Sequence, residues 1–299
     1  MKVNIAGVTL KNPVLTASGT CGYGREYLNY YDPAILGAIT VKALSAVPRK
    51  GNPVPRIAET PSGILNAIGL QNPGAQHFID NELPWLKARN ATVIANIVGS
   101  TPEDYDAVAE MLSDTDTDML ELNISCPNVK AGGIAFGTDP KMAASLISEV
   151  RRHTHKPLIV KLSPNVTDIT AIARAAEDAG ADALSLINTL LGMKIDIHTR
   201  KPLLANITGG LSGPAVFPVA VRMVWQVRRA VSLPLIGMGG IASADDAVEM
   251  MLAGADAVSI GTAAFSDPLV PVKVIDGLRD YCAANGFEAV SALSSAIER

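Results

Sequence analysis

Three short segments of this chain combine residue types that can do chemistry. Asn123-Ile-Ser-Cys126-Pro-Asn128 sets a thiol between two side-chain amides. An unperturbed cysteine ionises near pH ~8.5, close enough to neutrality for proton transfer, while amides can fix a polar substrate. Asn66-Ala67-Ile68-Gly69-Leu70-Gln71-Asn72 is a second distinctive word, rich in amides and built around a glycine. The third is Gly237-Met-Gly239-Gly240-Ile-Ala242-Ser243, followed further on by Gly261-Thr262. Glycines let backbone N–H groups approach a phosphate closely, and a helix starting there adds favourable potential.

The glycine run also fits the opening of a dinucleotide fingerprint, which is the rival reading. That fingerprint requires an acid roughly 20 residues on, at the end of the following strand. Asp256 has the distance but precedes its strand, Ala257–Ile260, so a mononucleotide phosphate is favoured. Gly22-Tyr-Gly24-Arg25 lacks the third glycine and is no fingerprint. A lone cysteine is more often a small buried hydrophobe, and Cys21 and Cys282 are read that way. Cys126, flanked by amides, is read as catalytic. His77, His153 and His155 read as helix-surface or helix-end residues and His198 as part of a long loop. None of the four pairs with carboxylates at metal-ligand spacing in the sequence, so no metal site is expected.

These segments need elements to position them. Eight apolar runs read as strands: 14–17, 38–41, 93–97, 119–123, 158–162, 183–187, 235–237 and 257–260. They are continuously apolar rather than alternating, which suits a parallel sheet covered on both faces. Between them lie helix-like stretches at 102–112, 140–152, 168–179, 215–230 and 244–252, with start signals at Thr101-Pro102, Thr167-Asp168 and Ser243. An echo supports a repeated unit, since Ala179-Gly-Ala-Asp182-Ala-Leu-Ser-Leu and Ala253-Gly-Ala-Asp256-Ala-Val-Ser-Ile are nearly the same words. The expected fold is α/β, a closed (β/α)8 TIM barrel, with an open doubly wound sheet as the competitor. Residues 2–10 are expected to pair as two short strands at the barrel floor. No Pro/Gly/Ser linker divides the chain, so residues 1–299 are expected to form one domain.

In such a barrel, chemistry belongs to the C-terminal strand ends. Those positions hold Ser18, Lys42, Asn96, Asn123, Lys161, Asn188-Thr189, Gly239-Gly240 and Gly261-Thr262. Two lysines and several amides converging on one mouth suit a planar, hydrogen-bonding, anionic ligand.

Composition bounds the alternatives. The chain is 48% hydrophobic and 18% charged, so it can bury a large core and is not a disordered polyelectrolyte. Its 25 basic and 29 acidic residues give a net charge of −4, with no basic cluster, which argues against nucleic acid. Three scattered cysteines exclude a disulfide framework. The opening residues, MKVNIAGVTLKN, lack the apolar stretch of a signal peptide, and the longest uncharged run is broken by glycine and proline. The expected location is the cytoplasm.

Taken in order, Thr16-Ala-Ser18-Gly19, the Asn66–Asn72 word, Asn123-Ile-Ser-Cys126-Pro-Asn128, Ile159-Val-Lys161-Leu-Ser-Pro-Asn165 and Gly237-Met-Gly-Gly-Ile resemble class 1 dihydroorotate dehydrogenase over nearly the whole chain. Cysteine at 126 resembles class 1 rather than the membrane-associated class 2. Gly19–Arg25, Val129–Gly137 and Asn188–Met193 resemble subclass B, whose members pass electrons to NAD through a second protein. The resemblance implies FMN, its phosphate on Gly239, Gly240, Gly261 and Thr262 with Gly213 nearby. It implies that Ser18, Lys42, Ala43, Asn96, Asn123, Lys161 and Ile187 contact the flavin or its ribityl chain. Lys161 would face the N1/O2 edge. It further implies that Lys42 and the backbone of Asn66, Ala67, Ile68, Gly69 and Leu70 take the carboxylate of dihydroorotate. Asn123, Asn128, Asn188 and Thr189 would take its ring amides, and Cys126 its C5 proton. The implied partner carries FAD and a [2Fe–2S] cluster, in a heterotetramer of two catalytic and two electron-transfer subunits. The alternatives are the stand-alone, fumarate-linked subclass A enzyme, a lyase or isomerase barrel acting on a phosphorylated sugar, and a non-catalytic flavin-binding subunit.

Overall fold

The computed structural model describes residues 1–124 and 136–297. Eight parallel strands form the barrel: β3 (Val14–Thr16), β4 (Ile39–Thr40), β7 (Val93–Ile97), β8 (Met119–Asn123), β9 (Leu158–Lys161), β10 (Ala183–Leu186), β15 (Leu235–Met238) and β16 (Ala257–Ile260). Neighbours in the sheet are neighbours in the chain, so the winding is single and the doubly wound alternative is excluded. Hydrogen bonding between β16 and β3 and a parallel bridge between Leu15 and Ala38 close the ring. All eight apolar runs became barrel strands. All eight are buried at every position, as a sheet sandwiched between side-chain filling and an outer layer of helices requires.

The helices begin where the start signals stand. Thr101 accepts from the Asp104 N–H and Asp104 reaches back, a capping box for the helix Pro102–Ser113; Ser243 and Asp246 do the same for Ala244–Leu252. Asp168 caps Ile169–Asp178 through the Thr170 N–H. Before the barrel, β1 (Val3–Ile5) and β2 (Val8–Leu10) pair antiparallel across a turn at Ala6-Gly7, both with positive φ. Ile5 and Leu10 of this hairpin are fully buried against the core, just ahead of the N-terminal end of β3.

The sequence echo has a structural cause. Asp118, Asp182 and Asp256 each stand just before a barrel strand, and each accepts the first N–H of the preceding strand, from Val93, Leu158 and Leu235, at 2.7–2.8 Å. The same oxygens pair with Lys87, Arg151 and Arg228, each from the end of the helix that precedes the first of the two strands. This threefold device ties the bottom of the barrel together. It also explains why Asp256 is no ribose ligand, since it lies at the end of the barrel opposite the glycine loops. Replacing Asp256 with alanine leaves the buried Leu235 N–H unsatisfied, which costs about 1–3 kcal/mol. Urea unfolding should show that loss for Asp256→Ala, and a smaller one for Asp256→Asn, which retains an acceptor.

One part of the architecture was not expected. The long connections after β4 and β10 carry strands of their own, β5 (Ile57–Thr60), β6 (Gly63–Asn66), β11 (Leu190–Met193) and β14 (Thr208–Ser212). They form an antiparallel sheet in the order β11-β14-β6-β5 beside the barrel mouth. A further short pair, β12 (Ile195–Asp196) and β13 (Lys201–Pro202), brackets the turn that carries His198. Among the described residues, no helix is long and apolar enough to cross a membrane.

Candidate active site

The strand ends of the barrel and the added sheet enclose a cavity of about 290 Å³. That lies at the lower edge of the range of roughly 300–1,000 Å³ typical of small-molecule sites. One wall comes from the barrel: Ser18 after β3, Lys42 and Ala43 after β4, Asn123 closing β8, Lys161 closing β9, and Ile187, Asn188 and Thr189 after β10. The opposite wall is the added sheet, through Ile57, Ile64, Asn66 and Leu211, continued by Ile68, Gly69 and Leu70. The sheet explains how residues so far apart in sequence face each other. Asn66 pairs with Gly210 in register and donates its side-chain N–H to the Gly210 carbonyl.

The far end of the cavity is the glycine cradle. Gly239 and Gly240 follow β15, Gly261 and Thr262 follow β16, and Gly213 follows β14; all five line the cavity. Gly213, Gly239 and Gly240 have φ of 104°, 120° and 85°, conformations that L side chains rarely adopt. The Thr262 hydroxyl donates to Ser212 Oγ at 2.8 Å, joining the barrel half of the cradle to the added sheet. Loops after the seventh and eighth barrel strands are a recurrent phosphate site of this fold.

A side chain at Gly240 would do more than obstruct a phosphate. Its Cβ would lie 2.7 Å from Phe217 Cβ and 2.9 Å from the Gly213 carbonyl oxygen, so substitution there strains the fold as well. Gly261 is the cleaner probe. Its φ is ordinary, and a Cβ there would meet only Ala17 Cβ at 3.3 Å and Thr20 Cγ2 at 3.5 Å. Gly261→Val should retain the melting temperature to within a few degrees and lose most bound mononucleotide, measured as flavin absorbance per chain.

Polar groups converge at the centre of the mouth. Asn188 Nδ2 lies 3.4 Å from Asn123 Oδ1, and the Asn188 Oδ1 accepts the Thr189 N–H at 2.8 Å. The Tyr105 hydroxyl donates to the Asn123 carbonyl at 3.0 Å and anchors the end of β8. Asn165 donates to the Thr189 carbonyl, which holds the loop after β10 in place. Lys161 is buried and has Glu121 Oε2 at 3.9 Å. Gly19 has φ +86°, and a Cβ there would come within 3.4 Å of the Lys42 ammonium, so glycine leaves that lysine its room.

Most sequence-predicted residues are thus brought to one cavity. Asn96 and Ala67 do not line it. Asn96 is fully buried one step deeper, with its Nδ2 donating to Glu121 Oε2 at 2.5 Å, and Ala67 is buried behind the Asn66–Leu70 loop. Cys126 and Asn128 lie outside the described residues. Sequence reasoning missed Glu121, although a carboxylate inside Met119-Leu-Glu-Leu-Asn123 is a visible anomaly in a buried strand. Ser185 and Ser259, inside equally apolar strands, were missed for the same reason.

The histidines need one correction. Glu149 stands one helix turn before His153, 3.9 Å from its Nε2, a pairing the sequence reading passed over, and helix packing brings Asp106 to the same distance. These three could approach a cation, though Glu149 is also engaged by Arg152. The group sits on the outer helices, away from the cavity lining. Cys21 is buried beside the Thr40 carbonyl, and burial pushes its thiol up to about 12, which removes it as a base near neutrality.

Fold and site together define a (β/α)8-barrel protein with an enclosed small-molecule cavity, a glycine cradle and two lysines at its C-terminal mouth. The chain belongs to the dihydroorotate dehydrogenase family, whose family model matches residues 1–281. It is 60% identical over 281 residues to a protein of Alkaliphilus metalliredigens named dihydroorotate dehydrogenase B (NAD(+)), catalytic subunit, covering 94% of this chain and 93% of that one. Proteins of the same name from Pelobacter propionicus and Geotalea daltonii are 58% and 57% identical over 299 residues, covering 100% of this chain and 98% of each.

Proposed function

We propose that this chain is the catalytic subunit of an NAD-linked dihydroorotate dehydrogenase and oxidises dihydroorotate to orotate in pyrimidine biosynthesis. The observation that carries the reading is the single cavity joining a glycine cradle to a lysine- and amide-lined mouth. Full-length similarity to catalytic subunits of that name supports it. The residues fit FMN. Gly213, Gly239, Gly240, Gly261 and Thr262 would hold the phosphate, and Ser18, Ala43, Asn123, Lys161 and Ile187 the ribityl chain and ring. Asn96, one step below, would act through Glu121 and Lys161. FMN, when bound, supplies a hydride acceptor.

The chain's own residues do the rest. Lys42 and the Asn66–Leu70 backbone hold the substrate carboxylate. Asn123, Asn128, Asn188 and Thr189 accept and donate at the ring amides, which fixes the face of the ring presented. Cys126 takes the C5 proton as the C6 hydride departs, and a ring double bond remains. Lys161 places positive charge where negative charge grows on reduction, as preorganised electrostatic stabilisation requires. The partner carries FAD and a [2Fe–2S] cluster, two copies each of the two subunits assemble, and NAD is the final acceptor in the cytoplasm.

The test is spectroscopic. The purified protein should show flavin absorbance in the visible range, and anaerobic dihydroorotate should bleach it with stoichiometric formation of orotate. A colourless protein folded with FMN present, or a flavin that dihydroorotate leaves oxidised, overturns the reading.

A further inference from the structure

Glu121 has no task in the reaction as described, yet it sits inside the barrel with its side chain only 3% exposed. Burying a carboxylate is costly unless it is paired and hydrogen-bonded. Here it is held from two sides. Asn96 Nδ2 of β7 donates to Oε2 at 2.5 Å, and Ser185 Oγ of β10 donates to Oε1 at 2.7 Å. Lys161 of β9, between those strands, stands 3.9 Å from Oε2, within ion-pair range but beyond hydrogen-bond distance. Lys161 lines the cavity and Glu121 does not. The carboxylate is therefore clamped behind the ammonium, and the two hydrogen bonds prevent it from swinging forward to cap it. Its negative charge offsets part of the field that Lys161 projects into the mouth.

We propose that Glu121 is a positioning residue that sets the potential Lys161 presents to the cavity, and thereby the reduction potential of the flavin held there. The inference rests on the FMN reading above. Reduction adds negative charge to the flavin, so Lys161 alone favours the reduced form, and Glu121 moderates that preference. Electrons bound for a nicotinamide must leave the flavin readily, and an unmoderated lysine would retain them.

The experiment is an anaerobic redox titration of the FMN-loaded protein against a dye of known potential. Glu121→Gln should raise the midpoint potential, with reduced flavin binding at least about tenfold tighter relative to oxidised, equivalent to about 30 mV for a two-electron couple. The isosteric variant should fold. Ser185 can still donate to its carbonyl oxygen, and Asn96 Oδ1, which has no partner among the described residues, can accept its new N–H after an amide flip. Glu121→Asp, which draws the carboxylate back towards β8, should give a smaller rise. Ser185→Ala breaks a hydrogen bond but keeps the charge and should give none.

An unchanged or lowered potential in Glu121→Gln overturns the inference, as does a rise of equal size in Ser185→Ala, which would trace the effect to packing. Should Glu121→Gln be isolated without flavin, an unmoved potential in Glu121→Asp overturns it equally. A wild-type protein that holds no FMN defeats the functional reading itself. A wild-type flavin indifferent to Glu121 defeats this inference alone.

Discussion

Cys126→Ala should still bind FMN and orotate but reduce its flavin with dihydroorotate about 10²–10⁴-fold more slowly, the usual cost of losing a general base. Cys126 follows Asn123, the cavity-lining end of β8, by three residues. Cys21 is sealed in the core with its thiol held far from neutrality, and Cys282 lies on the outer helix Val270–Ala284 with its thiol also raised by burial. Cys126→Ser should be impaired as well, because a hydroxyl does not ionise near neutral pH. Stopped-flow flavin bleaching measures the step directly. A wild-type rate in the alanine variant would assign proton abstraction elsewhere.

The barrel was legible because its signals are local. A buried parallel strand must be apolar throughout, and a helix must begin with a group that satisfies free N–H donors, so Val93–Ile97 or Ser243–Asp246 announce themselves. Repetition added to this. The words around Asp182 and Asp256 match because each aspartate satisfies the same backbone N–H at the barrel floor. The added sheet was not legible because its cause is not local. β6 and β14 are short and rich in glycine and polar residues, and they become strands only by pairing across 144 residues, as Asn66 and Gly210 do. His153 and Asp106 meet for the same kind of reason, through packed helices rather than sequence spacing.

Within the cavity, reading only the strand ends found the lining and missed what supports it. Lys161 and Asn123 terminate strands and are exposed to such a reading. Glu121 and Ser185 lie further in, where an apolar strand seems to need no polar residue, and their meaning appears only when the ring closes and they meet. Asn96 shows the boundary. It was predicted at the mouth, and the structure places it one step below, in contact with Glu121.

The second large effect concerns where the electrons go. The isolated chain, once reduced by dihydroorotate, should not be reoxidised by NAD at a useful rate, and adding the electron-transfer partner should restore transfer. The cavity carries one glycine cradle suited to one mononucleotide phosphate. The acid that a dinucleotide fingerprint would need, Asp256, is committed to Arg228 and the Leu235 N–H at the other end of the barrel. An iron–sulfur cluster is held by several closely placed thiolates, and the three cysteines of this chain lie more than 100 residues apart in sequence. Among the described residues there is thus a place to receive electrons and none evident from which to pass them to a nicotinamide, a division of labour that matches the relatives' designation as catalytic subunits. Reoxidation kinetics of the pre-reduced flavin, followed with NAD, with fumarate, and with NAD plus the partner, separate the possibilities. Rapid NAD reduction by this chain alone, or rapid turnover with fumarate, would overturn the partner-dependent route while leaving dihydroorotate oxidation in place, because the roles proposed for the cradle, Lys161 and Cys126 belong to the first half-reaction whatever accepts the electrons next.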